Sequence, residues 1–391
     1  MKKIWTILVV IVVLIAVWLG AAWYTGTRIE AQANHAIARI NATWAKTQQV
    51  MGAQIKPISY ERGLLSSRAR LAITSPLLGN QPLAEYDVTF QHGPFPLTLQ
   101  GGLAPRQYQA HAELLATSGP FKMVTGALMN GKPPLIMDIG CSYSNHCTGT
   151  GSVPPIDADL GPFSKNAKLT FGGMQMQFDS ARQSDKDYKF NGDMQLLPLS
   201  IGGQDFGSGQ ITITSDAQSA NEIISWKNDQ GESKLTIALI ANQPMPFWSD
   251  DSITPESLPK LIKTVSANLA LSKPMVVDLA ARALNLTKGA DLAAARQEIS
   301  AKFDATLANT PDAGKYIRNQ GDLLTSDWQY ADGKLIVNGQ ESPELLEQIK
   351  QGYLTQMRLR DQMLRARAGN TQAPDDGVPP ASAPQQAASG Q

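Results

Sequence analysis

Two cysteines and a neighbouring histidine are the residues whose types and spacing point most directly to chemistry. Cys141 and Cys147 are the two cysteines of the chain, and His146 lies beside the second. A structural zinc site needs four ligands at short recurring spacings, and Cys-x5-Cys has no second pair. A Cys-x-x-Cys redox motif is also absent from the sequence. The spacing leaves a disulfide, free thiols and a metal site open, and the cellular compartment decides between them.

The N-terminal segment predicts that compartment. Residues 4–23 carry no charge, and at about 1.5 Å per residue a helix of this length spans the roughly 30 Å hydrocarbon core of a bilayer. Lys2 and Lys3 precede the segment, which favours a cytoplasmic N-terminus. A cleaved signal peptide is the competing interpretation, but its apolar core is usually about 7–15 residues long. The sequence therefore predicts an uncleaved single-pass anchor with the bulk of the chain outside the cytoplasm.

An oxidising compartment favours a bond between the two cysteines. The flanking stretches PPLIMDIG and CTGTGSVPP resemble two strands around a polar turn, so Cys141 and Cys147 can meet across a hairpin. Closing so small a loop contributes roughly 2 kcal/mol in the chain-entropy model. We expect a structural disulfide with its Cα atoms within about 7 Å of each other. Free thiols and a metal site are the alternatives.

The pattern of apolar residues changes along the rest of the chain. Short segments with alternating polarity, separated by Gly, Asn and Asp, indicate an antiparallel meander, and helical spacing returns after Pro255. The predicted fold class is α+β: a single N-terminal transmembrane helix, a large antiparallel β-meander sheet with packed helices, and a C-terminal helix. The expected units are a transmembrane anchor (1–25), an amphipathic stalk helix (26–50), a β-sheet domain (51–254), a helical insert with a terminal β-hairpin (255–340), a C-terminal helix (341–368) and a disordered tail (369–391).

Several local expectations follow from this pattern. Gly172-Gly173 and Asp332-Gly333 predict turns between strands. The stretches TGTG (148–151) and DFGSGQ (205–210) also look like turns, and PESLPKLIKTVSANLAL (255–271) contains helical spacing. The meander should present one apolar face, which must be covered by helices, by a second sheet layer or by a lipid chain. The candidate ligand groove on that face is formed by Phe171, Met174, Met176 and Phe178.

Motif searches give no catalytic set. The sequence has no H-E-x-x-H, no phosphate loop, no G-x-S-x-G and no dinucleotide fingerprint. His92 lacks the base or metal partners that catalysis requires, so we interpret it as structural, bonded to backbone or to a neighbour such as Arg62. Lys+Arg and Asp+Glu are equal at 34 each, which gives no argument for a nucleic-acid partner. We expect no enzyme, no cofactor and no metal site.

A set of ordered motifs resembles the YdgA/YihF family of Gram-negative bacteria. They are YERGLLSS (60–67), HGPFPL (92–97), SWKNDQGESKL (225–235) and YADGKLIVNGQ (330–340), after the AWYTG that ends the apolar segment. The resemblance implies an inner-membrane anchor with a large periplasmic part and an unestablished biochemical function. No catalytic residues are carried over from it. The motif residues interpreted as structural are Tyr60, Arg62, Gly63, His92, Gly93, Pro94, Phe95, Pro96, Trp226 and Gly231.

Three functions remain open at this stage. The first is a membrane-tethered periplasmic binding or scaffold protein, without enzymatic activity, in cell-envelope maintenance or assembly. The second is a periplasmic carrier that holds a lipid or another hydrophobic ligand in a groove of the sheet. The third is a hydrolase without a recognisable motif. The expected partners are the inner membrane and either a lipid or an envelope protein; a homodimer stays open.

Overall fold

The computed structural model describes residues 2–47, 53–74, 82–92, 106–115, 119–161, 167–184, 187–244, 258–310 and 313–370. The helices are α1 Lys2–Thr47, α2 Gly119–Met129, α3 Leu258–Leu261, α4 Lys273–Lys288, α5 Leu292–Asn309, α6 Ala313–Tyr316 and α7 Pro343–Asn370. The strands are β1 Gln54–Arg62, β2 Ser66–Thr74, β3 Pro82–His92, β4 Tyr108–Leu115, β5 Leu135–Cys141, β6 His146–Val153, β7 Ile156–Asp159, β8 Lys168–Phe171, β9 Met174–Ser184, β10 Asp187–Ile201, β11 Gln204–Ser215, β12 Ser219–Asn228, β13 Gly231–Ala241, β14 Ile262–Ser272, β15 Arg318–Gln320, β16 Leu323–Ala331, β17 Lys334–Val337 and β18 Gln340–Glu341.

The described strands form one continuous antiparallel sheet. β1 to β6 pair in chain order, β6 then pairs with β9, and β9 to β14 again follow chain order. β14 pairs with β16, which is followed by β17 and β18. The β7–β8 hairpin joins the far end of β10, and β15 pairs with β16. The antiparallel meander predicted from the sequence is therefore confirmed.

The register places apolar side chains on one face of the sheet across many strands. Residues that pair directly in antiparallel strands point to the same face. One such row runs through Val88, Ala112, Met137, Gly151, Met176, Met194, Ile211, Ile224, Leu235 and Leu269. The neighbouring row on the opposite face runs through Thr89, His111, Asp138, Thr150, Gln177, Asp193 and Thr212. The sheet thus has one apolar face and one polar face.

Glycines let large side chains on the apolar face lie across the neighbouring strand. A Cβ on Gly149 would lie 2.3 Å from the Phe178 ring, and a Cβ on Gly151 would lie 2.6 Å from Cε of Met176. Both glycines belong to β6, so the prediction of a turn at TGTG was wrong. The glycines are needed there because the rings and thioether occupy the space where side chains would otherwise stand.

The predicted fold class needs a correction at the N-terminus. Helix α1 does run over Lys2–Thr47, but among the residues that the structure describes no helix is both long enough and apolar enough to cross a membrane. The molecule is mainly one large antiparallel sheet, so a transmembrane helix followed by an α+β domain was wrong. From Ala22 onward α1 packs on the sheet instead, burying one side at helical spacing: Ala22, Thr25, Gly26 and Ile29.

Two further segments differ from expectation. Within the stretch 255–271 only Leu258–Leu261 is helical among the described residues, as α3, and residues 262–272 form strand β14. There Val265, Ala267, Leu269 and Leu271 alternate with Ser266, Asn268 and Ala270 at the period of a strand. DFGSGQ lies within β11, where Gly207 takes a φ of 94°. The turns at Gly172-Gly173 and Asp332-Gly333 are confirmed, with φ of 98° at Gly173 and of 51° and 79° at Asp332 and Gly333.

A buried ionic network joins the later helices to the sheet. The Asp278 carboxylate in α4 is 1 % exposed and accepts hydrogen bonds from Arg282 Nε at 2.6 Å and Arg296 Nε at 2.8 Å. It also accepts a bond from Asn228 Nδ2, at the end of β12, at 3.2 Å. Arg282 reaches on to Asp229 at 3.0 Å, so the network ties α4, α5 and the β12–β13 turn together.

The rest of the SWKNDQGESKL motif shapes the same turn. Gly231 has a φ of 148°, and a Cβ there would lie 2.3 Å from Oγ of Ser272, the residue that caps α4. Ser272 N donates to Ser233 Oγ at 3.1 Å. Trp226 Nε1 donates to the Phe206 carbonyl at 2.8 Å, and its ring covers Gly209. The motif therefore docks the start of α4 onto the sheet.

We predict that Asp278→Ala lowers the free energy of unfolding by about 3–5 kcal/mol, because it leaves Arg282 buried without its main partner. The matched control is Glu298→Ala, which removes an exposed ion pair with Lys302 on α5 and should leave the midpoint of unfolding unchanged. Urea unfolding followed by circular dichroism measures both. Equal midpoints for the two variants would contradict a stabilising network.

Candidate functional site

His92 attaches the first helix to the end of the sheet. It ends strand β3, is 1 % exposed, and its ring fits against Gly26 of α1. Its Nδ1 lies 3.0 Å from the Ala22 carbonyl oxygen, and its Nε2 lies 3.0 Å from Ser67 Oγ in β2. A carbonyl can only accept, so Nδ1 carries the proton and Nε2 accepts from the Ser67 hydroxyl. A neutral imidazole satisfies both bonds.

Burial lowers the pKa of His92 below its ordinary value, and the charge of Arg62 lowers it further. The hydrogen bond to the Ala22 carbonyl acts in the opposite direction and is weaker. The ring is therefore held neutral in the folded protein at neutral pH. Of the expected partners, the structure shows the backbone, through the Ala22 carbonyl, and the neighbour is Ser67 rather than Arg62.

The YERG residues hold the helix beside His92. Arg62 lies with its guanidinium 5.8 Å from the centre of the Trp23 ring and 3.8 Å from the Glu30 carboxylate, both on α1. Gly63 N donates to the Ser66 carbonyl at 2.8 Å, which closes the β1–β2 turn. The structure thus brings together Tyr60, Arg62, Gly63 and His92. Gly93, Pro94, Phe95 and Pro96 lie outside the described residues.

Asn41 attaches the other end of the helix. Its side-chain amide donates to the Ile55 carbonyl at 2.8 Å and accepts from the Ile55 N–H at 2.7 Å. The amide therefore occupies the pairing position of a further strand beside β1 at the sheet edge. From Ala22 to Asn41 the helix spans about 28 Å at about 1.5 Å per residue. No sequence motif predicts this contact.

Between these two attachments lies an apolar cavity of about 1030 Å³. Its roof is the apolar stripe of α1, formed by Ile29, Ala33, Ile37 and Ile40. Its floor is the apolar face of the first strands, formed by Ile55, Pro57, Tyr60, Ala69, Leu71, Phe90 and Tyr108. Ala69, Tyr60, Leu71, Phe90 and Tyr108 also belong to the hydrophobic cluster built around Ala69, Val88 and Ala110. The helix therefore bridges over the sheet rather than packing onto it along its whole length.

The size of the cavity shows that it is not a sealed void. At about 24 cal/mol per Å³, an empty closed space of about 1030 Å³ would cost roughly 25 kcal/mol, more than the whole stability of a typical domain at about 5–15 kcal/mol. It is accordingly an open groove that solvent or a ligand fills. The volume lies at the upper end of the range of about 300–1,000 Å³ for sites that bind small molecules.

The disulfide forms one end of this groove. Cys141 and Cys147 face each other in strands β5 and β6 with a Cα–Cα distance of 4.1 Å, which confirms the predicted bond. Tyr108 Oη lies 3.1 Å from Cys141 Sγ and can donate to the sulfur. Both cysteines line the groove, so the bridge fixes the spacing of the strands that close it.

The ionisable side chains around the groove are mainly basic. Those among its described lining residues are His35, Arg39 and Arg182 together with Tyr60 and Tyr108; none is a carboxylate. Burial raises the pKa of both tyrosines, which keeps them neutral. The groove thus combines an apolar interior with polar and basic side chains at its margin.

The groove predicted from the sequence lies beside the observed one. Met174, Met176 and Phe178 are half-buried on β9, on the apolar face, and Ser180 of the same strand lines the observed groove. Phe171 lies in β8, where it pairs with Leu199. The groove was predicted at these residues because apolar and polar side chains alternate most clearly there. The prediction missed the α1 side, where Ile29, Ala33, Ile37 and Ile40 had been assigned to a stalk.

The polar face carries a second, shallower cleft of about 560 Å³. Asp138 on its wall accepts from His111 Nδ1 at 2.8 Å, and this bond raises the pKa of His111. Asp193 accepts from Gln210 and Thr212 at 2.6 Å and 3.2 Å. These carboxylates are thus engaged in the sheet itself. Within the described ranges, no three His, Cys, Asp or Glu residues come together in a way that could hold a metal ion.

We predict that Gly26→Ala loosens α1, because the new Cβ would lie 2.7 Å from the His92 ring. Gly20→Ala is the matched control in the same helix, where a Cβ meets nothing within 4 Å. Alanine should there stabilise the helix by up to about 1 kcal/mol. Hydrogen exchange of residues 22–41 measures both changes. Slower exchange in both variants would contradict the close contact with His92.

The lowered pKa of His92 predicts a pH dependence of this attachment. Because the unfolded chain binds the proton more readily, the stabilisation is present above the unfolded pKa of about 6.5 and is lost as pH falls through the folded value. The protection factors of the α1 amides, which correct for the pH dependence of intrinsic exchange, should therefore fall below pH 6.5 in the native protein. In His92→Gln this fall should be absent, although the protection factors are lower at every pH. The same pH profile in both proteins would refute the role of the imidazole.

Comparison with known proteins matches the chain to a family. The family model described as "Bacterial protein of unknown function (DUF945)" matches residues 1–224 and 222–344. Protein YdgA of Escherichia coli K12 is 23% identical over 58% of this chain and 46% of its own length. The uncharacterized protein YihF of the same organism is 24% identical over 64% of this chain and 44% of its own. An uncharacterized protein of Haemophilus influenzae is 32% identical over 22% of this chain and 24% of its own.

The chain spans less than half the length of these curated relatives. The family match covers the motifs around His92, which build the attachment of α1. The chain belongs to the bacterial family of unknown function DUF945, the family of YdgA and YihF.

Proposed function

We propose that this protein is a non-enzymatic binding protein of the bacterial periplasm that holds an amphiphilic ligand with an acyl chain in the groove beneath α1. The observation that carries the proposal is the open apolar groove of about 1030 Å³ between α1 and the sheet. The sequence ranked a scaffold role above a carrier role. The groove favours the carrier, because a scaffold has no need of an apolar space that only a ligand can fill well.

The apolar walls of the groove indicate that the larger part of the ligand is a hydrocarbon chain. Isoleucine side chains of α1 line the roof, Ile55 and Leu71 line the floor, and the aromatic rings of Phe90 and Tyr108 meet edge to face with centroids 6.3 Å apart. Replacing water by hydrocarbon against these apolar side chains is favourable by about 25 cal/mol per Å² of apolar surface buried. A flexible acyl chain fits an elongated space beneath a helix better than a rigid polar molecule does.

The margin of the groove is polar. Arg39 and Arg182 line it, and both already take part in interactions within the protein. The polar end of an amphiphilic ligand can lie at this margin while its acyl chain lies in the apolar interior.

The disulfide supports the periplasmic location. Structural disulfides persist in oxidising compartments and are rare in the cytosol, and the bond between Cys141 and Cys147 lies at the end of the groove. The proposed role needs no catalytic group, cofactor or metal. The motifs around His92 and Asn228 then act by holding the helices that shape and flank the sheet.

The test blocks the groove with a bulky side chain on α1. Ala33 lines the groove, whereas Ala31 lies on the exposed side of the same helix. We predict that Ala33→Trp weakens binding of a fluorescent fatty-acid analogue by at least about tenfold, roughly 1.4 kcal/mol, by occupying the space of the chain. Ala31→Trp makes the same substitution outside the groove and should bind as the native protein does. A titration monitored by probe fluorescence measures both.

Either of two results would contradict the proposed binding site. If the native protein does not bind the probe, or if Ala33→Trp binds it as tightly as Ala31→Trp does, the groove is not the ligand site. Lipid extraction and mass spectrometry of the purified full chain give an independent measurement, since a native ligand should co-purify and be depleted in Ala33→Trp.

A further inference from the structure

The polar face of the sheet carries an elongated cleft, on the side opposite to the groove beneath α1. Two adjoining spaces of about 560 and 320 Å³ form it, and Asp138, Thr150, Gln177 and Asp193 line both of them. These residues lie on β5, β6, β9 and β10, which are neighbours in the sheet. Together with β11 the cleft crosses five strands, which corresponds to four spacings of about 4.8 Å, or about 19 Å.

The side chains that point into the cleft are short and polar. The pairing register places one row of them across the strands: Asp138, Thr150, Gln177, Asp193 and Thr212. A second row lies on the same face, two residues farther along each strand: Gln109, Thr148, Asp179, Asn191 and Thr214. The backbone beneath both rows is paired within the sheet, so a ligand in the cleft meets side chains. A peptide strand that binds by backbone pairing needs a sheet edge instead.

The charges in the cleft oppose an anionic ligand. Arg106 is the one basic residue among its described lining residues, against the three carboxylates of Asp138, Asp179 and Asp193. Each carboxylate already takes part in a hydrogen bond within the sheet, as Asp179 does with His146 Nε2 at 2.9 Å. Acceptor positions remain on each of them, because the two oxygens of a carboxylate offer about four.

Arg106 supplies the donors of the cleft and opposes a cationic ligand. Its side chain is half-buried and lies across Gly140, where a Cβ would overlap Nη1 of the guanidinium. In the parts of the chain that the structure describes, Arg106 forms no ion pair, so its N–H groups can donate to a ligand. The cleft therefore offers both acceptors and donors to a ligand without net charge.

Hydroxyl groups match both kinds of lining residue. Carboxylates only accept hydrogen bonds and a guanidinium only donates them, whereas a hydroxyl does both. We propose that the polar cleft binds a neutral oligosaccharide, whose hydroxyl groups donate to the carboxylates and accept from Arg106 and from the amides of Gln177 and Asn191. A chain of sugar units suits this cleft because polar side chains recur on every strand along its length. The site lies on the other face of the sheet from the groove and does not depend on the proposed function.

The experiment measures the binding of tetrasaccharides to the full chain. The neutral probes are maltotetraose, cellotetraose and the N-acetylglucosamine tetramer, and tetragalacturonic acid is the anionic comparison. Isothermal titration calorimetry with up to about 10 mM sugar covers dissociation constants in the millimolar range. We expect at least one neutral probe to bind, and to bind more tightly than the anionic one. Absence of binding by all three neutral probes, or tighter binding of the anionic one, would overturn the proposal.

A double variant locates the site. Thr150 and Gln177 are exposed and line both spaces, so Thr150→Val with Gln177→Val removes two hydrogen-bonding groups and leaves the core intact. The affinity for the neutral probe should fall at least about tenfold. The matched control is Thr89→Val with Gln329→Val, which makes the same two changes on the polar face outside the cleft and should bind as the native protein does.

Circular dichroism establishes that both double variants fold. Equal affinities of the two variants for the sugar would place the binding elsewhere and refute the cleft as the site. Ala33→Trp blocks the groove on the opposite face and should bind the sugar as tightly as the native protein does. Loss of sugar binding and loss of fatty-acid binding are thus recorded in different variants, so either proposal can fail without the other.

Discussion

The attachment of α1 at two points is the constraint on which the groove depends. At one end, His92 and Arg62 hold residues 22–30 of the helix; at the other, the Asn41 amide pairs with Ile55. Between these points the helix cannot follow the sheet closely, because bulky side chains such as Tyr60, Phe90 and Leu71 stand beneath it. Intrinsic helix propensity would not by itself hold α1 in this position, because most of the stability of helices in proteins comes from packing. The bonds at both ends therefore replace continuous packing and leave the space between them open.

Outside the region beneath α1, other groups shield parts of the apolar face of the sheet from solvent. Over its middle strands, Phe178 and Met176 fold across glycines of the neighbouring strand, so part of the apolar face is filled by its own side chains. Farther along, α4 packs on β11, β13 and β14 and is held by the buried Asp278 network. A large apolar space lies beneath α1, where the helix is held at its ends. The apolar row of β10 to β14 is half-buried among the described residues: Met194, Ile211, Ile224, Leu235 and Leu269.

The sequence predicted the meander well because strand periodicity and turn chemistry are local signals. Cys141 and Cys147, Gly173 and Asp332-Gly333 were placed correctly, since each depends on neighbours within a few residues. The predictions from the sequence were wrong where contacts between distant residues determine the local structure. The glycines of TGTG resemble a turn until Phe178 is known to lie over one of them. Residues 262–272 carried helical and strand spacing together, and pairing with β13 and β16 selected the strand.

The candidate site was harder to predict than the fold for the same reason. Its roof and floor come from separate segments of the chain, such as those of Ile37 and Leu71, and no local pattern joins them. Two of the motifs that led to the family, YERGLLSS and HGPFPL, contribute Arg62 and His92 to one attachment of α1, and Tyr60 also lines the groove. Ile29, Ala33 and Ile37 carry no motif. An architecture of this kind separates the two tasks. Residues at the attachments fix the height and direction of the helix, and residues between them set the volume and polarity of the space, so substitutions in the lining can change the ligand while the frame around it stays the same.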